Sequence, residues 1–373
     1  MANILDYLDW RGDIPFSVSP FNEVDSYILC VLSCPDYTGV APANGLEPVG
    51  KLIGDYFAAG GEEKNLGFFA SPCLEPMLRR LPETERFSPV LAGDYVNLVD
   101  TQRGEQFSAL TSRLPDGTRL VAFRGTDDTI LAWKEDFLLG VQDVIPAQRD
   151  AAAYLMREAE KEPGPLVVGG HSKGGNLAVY AAMTVSPEVQ DRIVAVYNHD
   201  GPGFHQDVLG RPEYLRIRPR VHTIVPQHAI IGKLLYHESD FTIVRSGASG
   251  TAAHDGFHWE TLGTRFVRCE DFSLASKAFE SALVEVESRM DMDERRRTLD
   301  ALFGLLTSTG AVTLTDLTEH RLRQAVSMAR ELRQAPEVTR FARILLTLTA
   351  REALSGARQY LPNGRHFRKK PEE

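Results

Sequence analysis

The sequence predicts an α/β protein in which helices cover a mainly parallel sheet. Three observations carry that expectation. Between about Asp94 and Val244, short apolar runs alternate with helical stretches, the pattern of successive strand–helix–strand units. Within it, Leu166-Val167-Val168-Gly169-Gly170-His171-Ser172-Lys173-Gly174-Gly175 passes from a strand through a tight turn into a good helix former. After about Glu270 the apolar spacing becomes helical throughout. Three parts follow: residues 1–90, a helical and loop-rich segment packed on the core; 91–270, the α/β core; and 271–373, an all-helical appendage.

Each element has a local reason. Phe21-Asn22-Glu23-Val24-Asp25 reads as a helix entry, with Asn22 capping the turn before Tyr27, Ile28, Val31 and Leu32. From Asp94 the period changes to strand-like. Tyr95–Val99, Gln106–Leu110 and Arg119–Phe123 read as strands, the last two joined across Pro115-Asp116-Gly117. Helices are expected over Trp133–Leu138 and Ala147–Lys161, then the strand ending at Gly169 and the helix after Ser172. Arg192–Asn198, Val221–Val225 and Phe241–Val244 complete the strands. In the last part, Phe279, Leu283, Val286 and Met290 share one helix face. Leu299, Leu302, Phe303 and Leu306 share another, as do Phe341, Leu345 and Leu348. The basic tail Arg365–Lys370 is too short to argue for nucleic-acid binding.

Composition narrows the function classes. Of 373 residues, 43% are hydrophobic and 25% charged, as in globular proteins. Lys+Arg 41 against Asp+Glu 51 gives a net charge of −10, a field that repels nucleic acid and anionic membranes. The opening Met1-Ala2-Asn3-Ile4-Leu5-Asp6-Tyr7 shows no signal-peptide pattern, and no run approaches a membrane span, so a cytoplasmic location without stable membrane insertion is expected. Cys30 and Cys34 lie four apart in a helix-like stretch, with Cys73 and Cys269 elsewhere. Without a matching His/Cys cluster these read as buried thiols rather than zinc ligands, and no metal or cofactor is expected.

The serine of Gly170-His171-Ser172-Lys173-Gly174 is the candidate nucleophile. A serine on so sharp a strand–helix bend is held in strained backbone, its hydroxyl is pushed out at the carboxyl edge of the sheet, and the next N–H lies at a helix start. The hydroxyl needs a base, and the base an orienting acid, following in the order acid then histidine. Asp200 closes the strand before Gly201-Pro202-Gly203 and stands at the correct edge; Glu238 and Asp240 compete for the role, and a turn aspartate bonding its own loop is the plain alternative. His254 follows the last strand across the Ser246–Thr251 loop and is preferred as base over His258, whose neighbours Phe257 and Trp259 suggest packing. The other histidines, His171 included, read as structural, and His199, Asp200 and His205 are not taken as a metal cluster. For the oxyanion hole, the N–H of Lys173 and Thr126 are candidates; Thr126 offers both an N–H and a hydroxyl, and is also placed to cap the following helix. The Lys173 ammonium sits unfavourably at a helix N-terminus, which calls for a carboxylate partner or an anionic group on a substrate.

Phe123-Arg124-Gly125-Thr126, Trp133-Lys134-Glu135-Asp136-Phe137 and Gly170-His171-Ser172-Lys173-Gly174-Gly175 together resemble the class-three (fungal-type) lipases. More closely, the chain resembles the Mbeg-like family of bacterial lipase-like α/β hydrolases, a domain of unknown function. The further matches are Trp10-Arg11-Gly12-Asp13, Phe21-Asn22-Glu23-Val24-Asp25, Asp200-Gly201-Pro202-Gly203-Phe204, Val225-Pro226-Gln227 and His254-Asp255, covering residues 1 to about 265. The resemblance implies an α/β-hydrolase fold, Ser172 as nucleophile, His254 as base, and Thr126 with the Lys173 N–H as oxyanion hole. Two departures from the lipases stand out. Lys173 replaces a leucine, and Thr223-Ile224-Val225-Pro226 lacks the aspartate that lipases carry before Val-Pro, which favours Asp200 as acid.

The expectation is a serine hydrolase that cleaves a carboxylic ester of a small molecule or lipid through an acyl-enzyme on Ser172, with His254 and Asp200. The rivals are a hydrolase-fold protein that binds without turnover, and an amidase or peptidase using the same residues.

Overall fold

The structure is a computed structural model that describes residues 1–61, 71–237, 240–308, 310–313, 315–316, 338–339 and 343. Glu238, the face through Phe341, Leu345 and Leu348, and the basic tail lie outside the described residues.

Eight strands form one sheet in simple sequence order: β1 (Leu46–Pro48), β2 (Leu91–Asp100), β3 (Glu105–Arg113), β4 (Arg119–Phe123), β5 (Leu166–His171), β6 (Ile193–His199), β7 (Val221–Pro226) and β8 (Phe241–Val244). Neighbours from β1 to β4 are antiparallel, and from β4 to β8 parallel. A sheet that grows in one direction through right-handed crossovers places its connecting helices on one face. Side chains alternate accordingly. Val121, Phe123, Leu166 and Val168 turn to the crossover helices, whereas Leu120, Ala122 and Val167 turn to the other face.

The segment before β2 covers that second face. It holds α1 (Ile4–Arg11), α2 (Glu23–Val31), α3 (Val49–Ala58) and α4 (Leu74–Arg80), and it also supplies β1 to the sheet edge. Every residue of α2 after Glu23 is buried. The helix starts at the expected cap: Asn22 accepts the N–H groups of Val24 and Asp25, and the Asp25 carboxylate takes the Asn22 N–H in return. The buried Arg86 and the Tyr7 hydroxyl also donate to Asp25, at 2.8 and 2.7 Å, which ties α1, α2 and the approach to β2 together. The helix ends before Cys34, and only Cys30 of the four cysteines is buried; Cys34, Cys73 and Cys269 are partly accessible, contrary to the expectation of buried thiols.

On the crossover face lie α5 (Ile130–Leu138), α6 (Pro146–Lys161), α7 (Lys173–Thr184), α8 (Pro187–Arg192) and α9 (Pro212–Ile217). Ala147, Ala151 and Leu155 of α6 meet Leu177, Ala178 and Ala181 of α7 in one core. The N-cap of α5 is Thr129, whose side chain accepts the Ala132 N–H, so Thr126 is not the capping residue. Beyond β8 and a short hairpin, β9 (Thr261–Leu262) and β10 (Arg265–Phe266), come α10 (Leu274–Ser288) and α11 (Met292–Ser308). Lys233 holds α10 by its pair with Glu280 at 2.7 Å, while lying over the rings of Phe241 and Phe272. Phe303 holds α11 against Phe137 of α5, with ring centroids 5.6 Å apart. Among the described residues, no helix is long and apolar enough to cross a membrane.

Candidate functional site

β5 passes into α7 with no intervening loop, and Ser172 makes the bend at φ 59°, ψ −133°. That region is costly for a residue with a Cβ, so the surroundings must enforce it. They do so on both sides: the Ser172 N–H donates to His199 O at 3.0 Å, and Ser172 O accepts the Gly175 N–H at 2.9 Å. A Cβ on Gly170 would stand 2.2 Å from the Gly174 backbone, so no larger residue fits inside the bend. A Cβ on Gly125 would stand 2.8 Å from His171 O and 3.2 Å from Ser172 Cβ. The strand-end Gly125 therefore lets the loop after β4 close on the elbow and brings Thr126 to the same cavity as Ser172.

Asp200 and His254 come together as the sequence order requires. Asp200 is fully buried at the end of β6, itself at φ 50°, and its Oδ2 accepts from His254 Nδ1 at 2.6 Å. Its other oxygen accepts the Gly232 N–H at 3.2 Å. Burial pushes the Asp200 carboxyl up, and burial lowers His254 to about 4, so the imidazole rests neutral with Nε2 as its remaining ring nitrogen. His254 and Ser172 line one cavity. Asp240 is exposed, and His258 is half-exposed while its neighbours Phe257 and Trp259 are buried.

The turn that carries His254 is fixed by residues not singled out for the site. His171 Nε2 donates to His254 O at 2.8 Å, and the two rings lie 4.3 Å apart. Burial, reinforced by the neighbouring His254, lowers His171 to about 4. Tyr27 of α2 accepts the Gly256 N–H at 2.9 Å on its hydroxyl, and the Trp259 indole N–H donates to Ala253 O at 2.9 Å. His199 Nε2 meets Ser26 Oγ at 2.9 Å, and His205 Nε2 meets Gln142 O at 3.1 Å, so these two histidines serve different neighbours from Asp200.

Lys173 has its side chain buried beneath the elbow, at 1% exposure. Its ammonium donates to Gln106 O at 2.9 Å, Gln106 Oε1 at 2.8 Å and Glu135 Oε2 at 3.0 Å, which uses all three hydrogens. Of the two partners the sequence left open, the carboxylate is the one present. Glu135 also accepts the Gln106 N–H and the Ala147 N–H, each at 3.1 Å, and so joins β3, α5, α6 and α7 at one point. Next to it, the Thr126 hydroxyl donates to Asp136, whose carboxyl burial raises to about 7. With its hydroxyl proton spent there, Thr126 retains only its N–H for an oxyanion.

The cavity lined by Ser172, His254, Thr126 and Asp136 measures about 1010 Å³. Carboxylates line its polar part, with Asp127, Asp128, Asp136 and Asp255 beside Arg124 and Arg295; elsewhere it is mostly aliphatic and aromatic. The family model for Mbeg1-like proteins matches residues 81–304, more than half of the chain. The chain belongs to the Mbeg1-like family. The Mbeg1-like span contains Ser172, Asp200, His254, Thr126, Lys173 and Glu135, and ends inside α11; it leaves out α1 to α4, and with them Tyr27. No curated protein matches the chain.

Proposed function

We propose that this Mbeg1-like protein is a serine hydrolase of the α/β-hydrolase type, related to the lipases and cleaving a carboxylic ester. One observation carries the reading: a serine held at positive φ opens into the same cavity as a neutral histidine whose Nδ1 is bonded to a buried aspartate. In this reading Ser172 Oγ attacks the ester carbonyl carbon, and its proton passes to His254 Nε2. The tetrahedral oxyanion takes hydrogen bonds from the N–H groups of Lys173 and Thr126. Collapse breaks the bond to the alkoxide, which leaves with the proton from His254. A water molecule, deprotonated by His254, then frees the acid and restores Ser172. Asp200 keeps the imidazole in the tautomer with Nδ1–H.

The test is turnover of p-nitrophenyl esters, together with labelling by a fluorophosphonate. Ser172→Ala should lower kcat by about 10⁶ with the fold intact. Retention of a tenth of the activity, or a wild-type protein that is neither labelled nor active, overturns the reading and leaves a binding protein. The pH profile gives a second check. Protonating His254 removes the acceptor, so kcat/KM should fall as pH falls, with a midpoint nearer 4 than 6.5. A kcat/KM with no fall on the acid side, or one whose acid limb persists unchanged in His254→Ala, contradicts the assignment of this histidine as base.

A further inference from the structure

We propose, on the strength of the esterase reading, that the C-terminal helices form one wall of an acyl-binding cavity and select esters with a long apolar acyl chain. Leu299 and Leu302 of α11 line the same cavity as Ser172, as do Leu283 of α10 and Met290 between the two helices. Along α11, the cavity-lining positions 295, 298, 299 and 302 follow the i, i+3, i+4, i+7 spacing of a single helix face. The apolar stripe read from the sequence is thus divided. Phe303, at 3% exposure, is spent on packing against α5, whereas Leu299 and Leu302 also face open volume.

Ile231 and Leu234, residues of the loop that gives the Gly232 N–H to Asp200, line the same cavity from the core side of the chain. The wall is fastened to that loop and to α5 by fixed contacts: Lys233 to Glu280 at 2.7 Å, Lys134 to Asp300 at 3.3 Å and Arg296 to Val141 O at 3.3 Å. A volume of about 1010 Å³ lies at the upper end of small-molecule sites, which run to roughly 1,000 Å³, and far exceeds what a short ester needs. A chain that fills this volume takes the apolar lining out of water and gains packing contacts with it. Lys173, fully paired under the elbow, offers no charge to a substrate, and on the lining Asp127, Asp128 and Asp255 outnumber Arg124 and Arg295, which disfavours an anionic one. The substrate class is therefore a neutral ester of a long acyl chain.

The experiment compares kcat/KM on p-nitrophenyl butyrate and dodecanoate for the wild type, Leu299→Trp and Leu283→Trp, with circular dichroism to confirm folding. Each methylene denied the cavity costs about fourfold, so an indole that displaces three of them should lower the long-to-short ratio by about fiftyfold. Calorimetric titration of methyl dodecanoate, a neutral ester, into Ser172→Ala, with and without Leu299→Trp, reads the wall without turnover and should show binding weakened by at least about tenfold. A parallel loss on both esters in folded variants, a wild type that prefers butyrate, or methyl dodecanoate binding unaffected by Leu299→Trp overturns the proposal. Absence of all turnover and labelling defeats the esterase reading instead, and the titration then decides whether the cavity takes an acyl chain.

Discussion

On one face of the sheet, α7 lies against β5 and β6, the strands that flank it in sequence, with α6 beside it over β3 and β4. On the other, α2 lies against β4, β5 and β6, which the chain reaches only after the antiparallel edge is built. The two faces divide the candidate machinery. The crossover face supplies the elbow, Lys173 and the loop of Thr126, all within short connections. The opposite face supplies support: Tyr27 and Ser26 touch the groups that hold His254 and its neighbours in place. Local connection builds the candidate nucleophile, and distant packing fixes the candidate base.

The largest effect expected from probing this division is at the seam between the faces. Asp200→Asn should lower kcat by about 10⁴, because the imidazole would be held in the wrong tautomer, while Asp240→Asn should be nearly silent. A smaller loss at Asp200 than at Asp240, measured on one ester, would move the acid elsewhere.

On the crossover face, Lys173→Leu leaves Glu135 buried without its cation and should destabilise the protein by about 3–5 kcal/mol. Adding Glu135→Gln, which removes the unpaired charge and keeps an amide oxygen for one of the Gln106 and Ala147 N–H groups, should recover part of that. The ratio of activities on anionic and neutral esters should stay the same, since the ammonium is spent on the fold. Urea denaturation reads the first effect. A tenfold selective loss on the anionic ester would show that Lys173 senses substrate charge after all.

The smallest effect belongs to the distant face. Tyr27→Phe strands the buried Gly256 N–H at a cost of about 1–3 kcal/mol, and should lower kcat more than it raises KM because the histidine turn loosens. A change confined to melting temperature, with kcat intact, would make α2 a cover and nothing more.

The same division explains what could be read from the residues alone. β2 to β8 announce themselves by alternation or by short apolar runs, and the elbow by its glycines, because those signals are local. Asp200 was legible from its place at a strand end, and His254 from following the last strand. The burial of α2 against β4 to β6 was not, since a helix buried on every side, Asp25 and Ser26 included, has no polar stripe to give a direction. The Glu135–Lys173 pair was not either: the two residues lie 38 apart, and only the packing of α5 under the elbow joins them. Thr126 looked like a hydroxyl donor to an oxyanion because nothing local shows that Asp136 claims its proton.

The bond between Tyr27 and Gly256 spans 229 residues, and Thr261 reaches still further back, to the carbonyls of Ala2 and Asn3. In terms of folding time, α2 is synthesised long before the turn it secures. Its apolar surfaces stay uncovered until the sheet exists, and the turn bearing His254 has no partner until α2 docks. Closure across so long a loop is entropically slow. The turn bearing His254 therefore settles into place late in folding, so under the proposed function refolded protein should gain its secondary structure before it gains any turnover.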